Sequence, residues 1–305
     1  MDADDGDRGD HLERVGQRAL HVVRIGFADD TANNFACPAA SDAGAGGMHV
    51  FITGAATGIG EATIDAILEQ IPSAGFTIAD KNQQALQEVC QKLSRRGVHN
   101  HGIACDLTDI DGLPDVVKRA REQMGEVELL VNNAGVMIVE DLARMPWERG
   151  KLMLDIHFTA PMKLIYEILP SMLQRGQGGI INIASMAGKA LLPGCTWYGG
   201  SKAAMGHASE ILYGEVKDRG VHVLTVYPGP ISTELERGAR QGYEENLVSR
   251  LMPVGGREEL ARRIVAAYLA KQPVLAYPAV YDVARHLHSF SGWLAQVFAP
   301  RTKSA

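Results

Sequence analysis

The sequence predicts a doubly wound α/β domain: a seven-stranded parallel sheet with helices on both faces. Short β-branched runs alternate with longer helical patterns from Met48 onward, and the first run ends in a glycine-rich turn, HVFITGAATGIG. The length of 305 residues, with 46% hydrophobic and 22% charged, suits a soluble chain with one sizeable core. Parallel strands joined through helices need right-handed crossovers, which leave the sheet covered on each side.

Each element follows in order. HVFIT is the first strand, with a helix from Ile59; FTIAD is the second, followed by a helix over Gln83 to Arg95; HGIAC is the third, followed by Leu113 to Met124. VELLVN precedes a long helical pattern from Pro146 to Leu173, and GIINIAS precedes one from Tyr198 to Arg219. VHVLTVYP, a helix around Arg257 to Ala270 and a last strand near Pro273 to Tyr277 complete the set.

Around this domain, spanning 48–277, the chain carries extensions. Residues 1–47 hold nine Asp/Glu and four Arg and end in SDAGAGG, the composition of a disordered leader. Within the domain, a segment over 234–256 has glycines at both ends and is expected to be the least ordered part of the core. In 278–305, Val280, Val283, Leu287, Phe290, Leu294 and Val297 recur at spacings of three and four, an amphipathic helix fit to pack on the domain or on a second subunit. That stretch has only Arg285 as a fixed cation before Arg301, which argues against a membrane surface.

Composition excludes several classes. The net charge of −6 gives no basic footprint for nucleic acid. Cys37, Cys90, Cys105 and Cys195 show no paired spacing, so neither a disulfide framework nor a metal site is expected. No apolar stretch is long enough to cross a bilayer and no basic n-region opens the chain, so the expected location is cytoplasmic.

Gly54, Gly58 and Gly60 stand where the first strand turns into a helix. Such glycines permit a tight turn and close approach of a pyrophosphate, whose charge faces the free N–H groups of the helix start. Asp80 ends the second strand about 20 residues on, where a carboxylate can accept from ribose hydroxyls. It would repel a 2′-phosphate, and no arginine cluster offsets it, so NAD is expected over NADP. A helix N-cap is the alternative role for Asp80.

The TGxxxGxG spacing, Asn132-Asn133-Ala134-Gly135 after the fourth strand, Ser185, Tyr198-x-x-x-Lys202 and Pro228-Gly229 together resemble the short-chain dehydrogenase/reductase family, over about residues 48 to 235. The resemblance implies a Rossmann-like fold and a catalytic Ser185, Tyr198 and Lys202. It implies that Thr57 and Ile59 hold cofactor with the three glycines, and that Asp106 and Leu107 sit at its adenine side. Asn133, Ala134 and Gly135 would line the cofactor groove and brace the sheet, while Pro228, Gly229, Ile231 and Thr233 would form the segment that binds the carboxamide. The resemblance also makes 234–256 a mobile lid over the substrate.

The chemistry can be argued beside the resemblance. Positions i and i+4 of a helix share a face, about 5–6 Å apart at Cβ, so Lys202 can hold its charge near the Tyr198 oxygen. A tyrosine begins near a pKa of about 10, and a buried neighbouring cation, helped by the positive nicotinamide of the oxidised cofactor, is expected to lower it by roughly 1–3 units, making a usable general base. The resemblance implies that Ser185 donates a hydrogen bond that orients the substrate oxygen, and that Lys202 also grips the nicotinamide ribose.

The sequence departs from the family at two places. LDIHFTA puts His157 where the family has an asparagine that helps hold a relay water; a histidine titrating near neutrality could preserve or modify that relay. Gly199-Gly200 weakens the start of a helix, which close approach by cofactor, substrate or a partner would explain. Cys195, Trp197 and the 186–194 loop are expected as further substrate walls.

The expected activity is NAD-dependent interconversion of a hydrophobic secondary alcohol and a ketone, in a homodimer or homotetramer. The alternatives are a non-catalytic NAD-binding regulatory or scaffold protein, and an epimerase or dehydratase on the same fold.

Overall fold

The computed structural model describes residues 47–240 and 254–280. Nearly all of the expected leader, residues 241–253 of the expected lid and most of the C-terminal helix lie outside the described residues. The strands are β1 (His49–Thr53), β2 (Gly75–Asp80), β3 (Asn100–Ala104), β4 (Leu129–Asn132), β5 (Gly178–Ile183), β6 (Val221–Pro228) and β7 (Val274–Tyr277). The α-helices are α1 (Gly58–Gln70), α2 (Gln83–Arg95), α3 (Leu113–Met124), α4 (Trp147–Leu154), α5 (Ala160–Arg175), α6 (Thr196–Val216), α7 (Glu234–Arg240) and α8 (Arg257–Leu269).

All seven strands pair in parallel in the order β3-β2-β1-β4-β5-β6-β7, the expected doubly wound sheet. The central strands β1, β4, β5 and β6 are buried nearly throughout and mostly apolar because both of their faces are covered. In β1, Val50 and Ile52 enter a core shared with α1, α2 and α8, while Phe51 enters the core under α3, α5 and α6. Strand order reverses between β1 and β4, so the crevice past their carboxyl ends is where a ligand site is built in such a sheet.

The helix expected from Pro146 to Leu173 is interrupted. Between α4 and α5 lies one π turn, Asp155–Thr159, closed by the Ala160 N–H on the Asp155 carbonyl. Pro161 supplies the reason: lacking an N–H, it cannot donate to the carbonyl of His157 four residues back. Further on, α6 starts two residues earlier than expected and ends at Val216, followed by a 3₁₀ turn, Lys217–Arg219.

A buried polar chain fixes α6 to the sheet. Asn132 Nδ2 donates to Asn182 Oδ1 at 2.8 Å, Asn182 Nδ2 to Ser209 Oγ at 2.9 Å, and Thr225 Oγ1 to the same serine oxygen at 2.7 Å. All four residues are buried, so these bonds set the depth at which α6 carries Tyr198 and Lys202.

Candidate active site

A cleft of about 370 Å³ opens past the carboxyl ends of the central strands. Its one wall is the turn after β1, where Gly54, Thr57, Gly58 and Ile59 line it. Gly54 has φ +63°, and a Cβ there would stand 2.6 Å from the Ala134 Cα; Gly58 has φ +68° and open space before it. Gly60 lies behind the turn, where a Cβ would meet Ala55 Cα and Asn133 Nδ2 at 2.6 Å. The Thr57 side chain makes no capping bond to α1. An uncapped helix start beside a glycine with free space in front of it fits a pyrophosphate.

Asn133 braces this wall. Its Nδ2 donates to the Thr53 carbonyl at 3.0 Å and the Gly54 carbonyl at 2.7 Å, while Thr53 Oγ1 accepts from the backbone N–H of Asn133 and of Ala134. Asn133 and Gly135 line the cleft, as do Pro228, Gly229, Ile231 and Thr233 on the far side.

Asp80, Asp106 and Leu107 stand outside the lining. Asp80 Oδ2 accepts from the Ala56 N–H at 3.2 Å and Oδ1 from the Asn82 N–H at 2.9 Å, so the carboxylate ties the end of β2 to the glycine turn. The capping role falls instead to Asn82, whose Oδ1 accepts from the Ala85 N–H. Asp106 Oδ1 accepts from the Thr108 N–H and hydroxyl, both at 2.9 Å, and Leu107 is buried in the core on the α3 side.

Ser185, Tyr198 and Lys202 meet at the other end of the cleft. Ser185 leaves β5 in extended conformation, its Oγ accepting from the Ala187 N–H at 3.1 Å, and it is hydrogen-bonded to the Tyr198 phenol. The Lys202 ammonium donates to the Ile183 carbonyl at 2.7 Å. Here the expected electrostatics are corrected. Burial pushes the Tyr198 phenol up to about 12, with the Ser185 bond pulling the other way and Cys195 and Glu236 adding to the rise. Burial likewise pushes Lys202 down to about 8. Desolvation is the largest cause for both groups, and the ammonium is engaged by the carbonyl at the end of β5.

His157 is buried beneath these groups. Its Nε2 accepts from the Val136 N–H at 3.1 Å, its Nδ1 lies 2.8 Å from Ser201 Oγ, and its ring packs edge-on to Tyr198 at 5.4 Å. Burial, then the charge of Lys202, hold its pKa well below the ordinary value, so it does not titrate near neutrality as the sequence suggested.

Two other expectations are corrected. A Cβ on Gly199 would stand 2.9 Å from the Ala187 carbonyl oxygen, so the close approach there comes from the chain itself; Gly200 has open space. Trp197 packs edge-on against Trp147 at 5.3 Å and covers Gly150, and Cys195 packs with Met145, Met153 and Tyr198, so both serve a cluster behind the tyrosine. The start of the segment expected as a lid contributes Glu234, Leu235, Glu236 and Arg237 to the lining, while the sequence reading missed Met137, Ile183, Ala184, Ser232 and Arg257 there. Arg257 left a signal: a cation in the first turn of α8, where the helix dipole disfavours one.

Fold and cleft together define a doubly wound α/β protein with a nucleotide-type crevice at the reversal of strand order. A profile of the short chain dehydrogenase family matches residues 48–244. The chain belongs to that family of oxidoreductases. It is 30% identical over 196 residues to an uncharacterized oxidoreductase of Staphylococcus saprophyticus, covering 62% of this chain and 82% of the relative. A short-chain dehydrogenase from Streptomyces avermitilis superposes with a TM-score of 0.70 at 24% identity, covering 83% of this chain and 96% of that one. A blue fluorescent protein from a metagenomic library, solved in complex with NADPH, superposes with a TM-score of 0.67 at 27% identity, covering 76% and 96%. Among the described residues, no helix is long and apolar enough to cross a membrane, and no cluster of His, Cys, Asp or Glu could hold a metal ion.

Proposed function

We propose that the chain is a nicotinamide-dinucleotide-dependent enzyme that interconverts a secondary alcohol and a ketone on a hydrophobic small molecule, preferring NAD to NADP. The observation that carries this is the convergence of Ser185, Tyr198 and Lys202 at one end of a cleft whose other wall is an uncapped helix start with an open glycine. Thr57, Gly58 and Ile59 would hold the pyrophosphate, with Asp80 toward the adenosine ribose. Asn133, Gly135, Ile231, Thr233 and Lys202 would hold the nicotinamide half. When bound, the cofactor supplies a hydride acceptor for oxidation or a donor for reduction.

The proton belongs to Tyr198. Its hydroxyl gives a proton to the substrate oxygen in reduction and its phenolate takes one in oxidation, while the Ser185 hydroxyl donates to the same oxygen and stabilises charge there. Burial, which pushes the phenol up to about 12, favours the protonated form that donates in reduction, and the phenolate that accepts in oxidation would be favoured by the positive nicotinamide of an oxidised cofactor. Met137, Ala184 and Leu235 give the cleft apolar lining, in keeping with a hydrophobic substrate. We place the enzyme in the cytoplasm, on its cysteine spacing, and as a homodimer or homotetramer, on exposed Tyr166 of α5 and Ile211 of α6.

A panel of secondary alcohols and ketones, read by the absorbance of reduced cofactor with NAD(H) and NADP(H) in parallel, tests this. Turnover with a higher kcat/KM for NAD(H) is expected. Tight NADH binding without turnover would favour a binding protein, and turnover without net absorbance change would favour internal hydride transfer.

A further inference from the structure

We propose that His157 is a positioning residue, a neutral imidazole protonated on Nδ1 that struts the loop after β4 against the Tyr198-bearing turn of α6, and does not carry a proton in a relay. Its tautomer follows from partners that have no freedom. The Val136 backbone N–H can only donate, so Nε2, at 3.1 Å, carries a lone pair. Ser201 Oγ spends its own proton on the Tyr198 carbonyl oxygen at 2.9 Å, so toward His157 it accepts, and Nδ1, at 2.8 Å, bears the hydrogen. Val136, His157, Ser201 and Tyr198 thus form one directed chain of three hydrogen bonds.

Both ring nitrogens are engaged within the protein, and the side chain is 1% exposed. A proton arriving at Nε2 would set two N–H groups against each other. The groups facing the ring add no carboxylate: α6 presents Lys202 and Tyr198, and the β4 loop presents the backbone of Gly135 and Val136, where the Val136 backbone favours the charged ring but is outweighed by burial and Lys202. In its own π turn, Asp155 is paired with Lys151.

The strut reaches the cleft through Gly135, where a Cβ would stand 3.5 Å from His157 Nε2 and 3.8 Å from Lys202 Nζ. The loop that floors the cleft and the helix turn that carries the phenol are therefore spaced by one rigid ring. An asparagine at this position has no atom where Nε2 stands, so the anchor on Val136 depends on the histidine. The effect on activity rests on Tyr198 being the proton-transferring group; the tautomer does not.

The test uses the full chain with ¹⁵N-labelled histidine, the His157 signals being assigned by their loss in His157→Asn. Nδ1 protonated, Nε2 unprotonated and both shifts constant between about pH 5.5 and 8.5 is the expected result, a window centred on ordinary histidine titration. A ring that titrates in this window, or carries its proton on Nε2, overturns the proposal. In kinetics, His157→Asn, His157→Gln and Ser201→Ala should each lower kcat by about 3- to 30-fold without moving the pH profile. The double variant His157→Asn/Ser201→Ala should lose less than the product of the singles, because both cut one chain. A profile displaced by His157→Asn would mark a proton carrier and overturn the strut. Full activity of Tyr198→Phe would instead remove the functional reading and leave the tautomer result standing.

Discussion

In the proposed reading Asp80 serves structure and selectivity with the same carboxylate. One lone pair on each oxygen is taken by a backbone N–H, of Ala56 and of Asn82, which leaves the others to accept ribose hydroxyls. A 2′-phosphate brought to that position meets a negative charge. Asp80→Ala should therefore shrink the ratio of NADPH to NADH dissociation constants by about 10-fold, chiefly by relieving repulsion; an unchanged ratio in fluorescence titrations would count against this role. Tyr198 makes a second prediction at this scale. Since burial holds its phenol at about 12, the phenolate fraction grows about tenfold per pH unit below that value. Alcohol oxidation should rise steeply from pH 8 to 10, and a flat profile would contradict a tyrosine base.

Helix α6 brings tyrosine and lysine to the cleft only because it is fixed against β4, β5 and β6. Asn182 is the middle of that attachment, fully buried and bonded on both sides. Asn182→Ala leaves the Asn132 amide without its acceptor and opens a small void, so it should lower unfolding free energy by about 1–3 kcal/mol. A urea midpoint unchanged from the natural chain would show that the polar chain adds nothing. The strands and most helices were legible because apolar runs and helical periods are local properties, and the Ser185, Tyr198, Lys202 spacing was legible because a helix turn places i and i+4 together. The π turn was not, since it depends on Pro161 withdrawing one donor from an otherwise helical stretch. The direction of Lys202, the pKa of Tyr198 and the partners of His157 were also hidden. Each depends on groups that meet only after distant segments pack, as Ile183, Val136 and Ser201 do. The lining by Met137 and Arg257 escaped for the same reason.

The whole molecule buries several histidines as neutral rings, and that sets its response to acid. Burial lowers the pKa of His49 to about 4 and also lowers His101, His157 and His222. In the unfolded chain each binds a proton near pH 6.5, so below that value the unfolded state holds more protons and folding stability falls as pH falls. The melting temperature should drop progressively from about pH 6.5 to pH 4, and His49→Gln should soften the decline; a melting temperature flat across that window would contradict the neutral rings. The folded chain also unites the glycine turn of β1, the serine past β5 and the tyrosine and lysine of α6 around one cleft, and its central claim is that this union is catalytic. The most direct measurement is kcat of Tyr198→Phe on a substrate found by the panel, alongside cofactor titration. Loss of about 100-fold or more with cofactor affinity nearly intact is the predicted result, because the hydroxyl serves the reacting oxygen; near-normal kcat would contradict the account and return Tyr198 to a packing role.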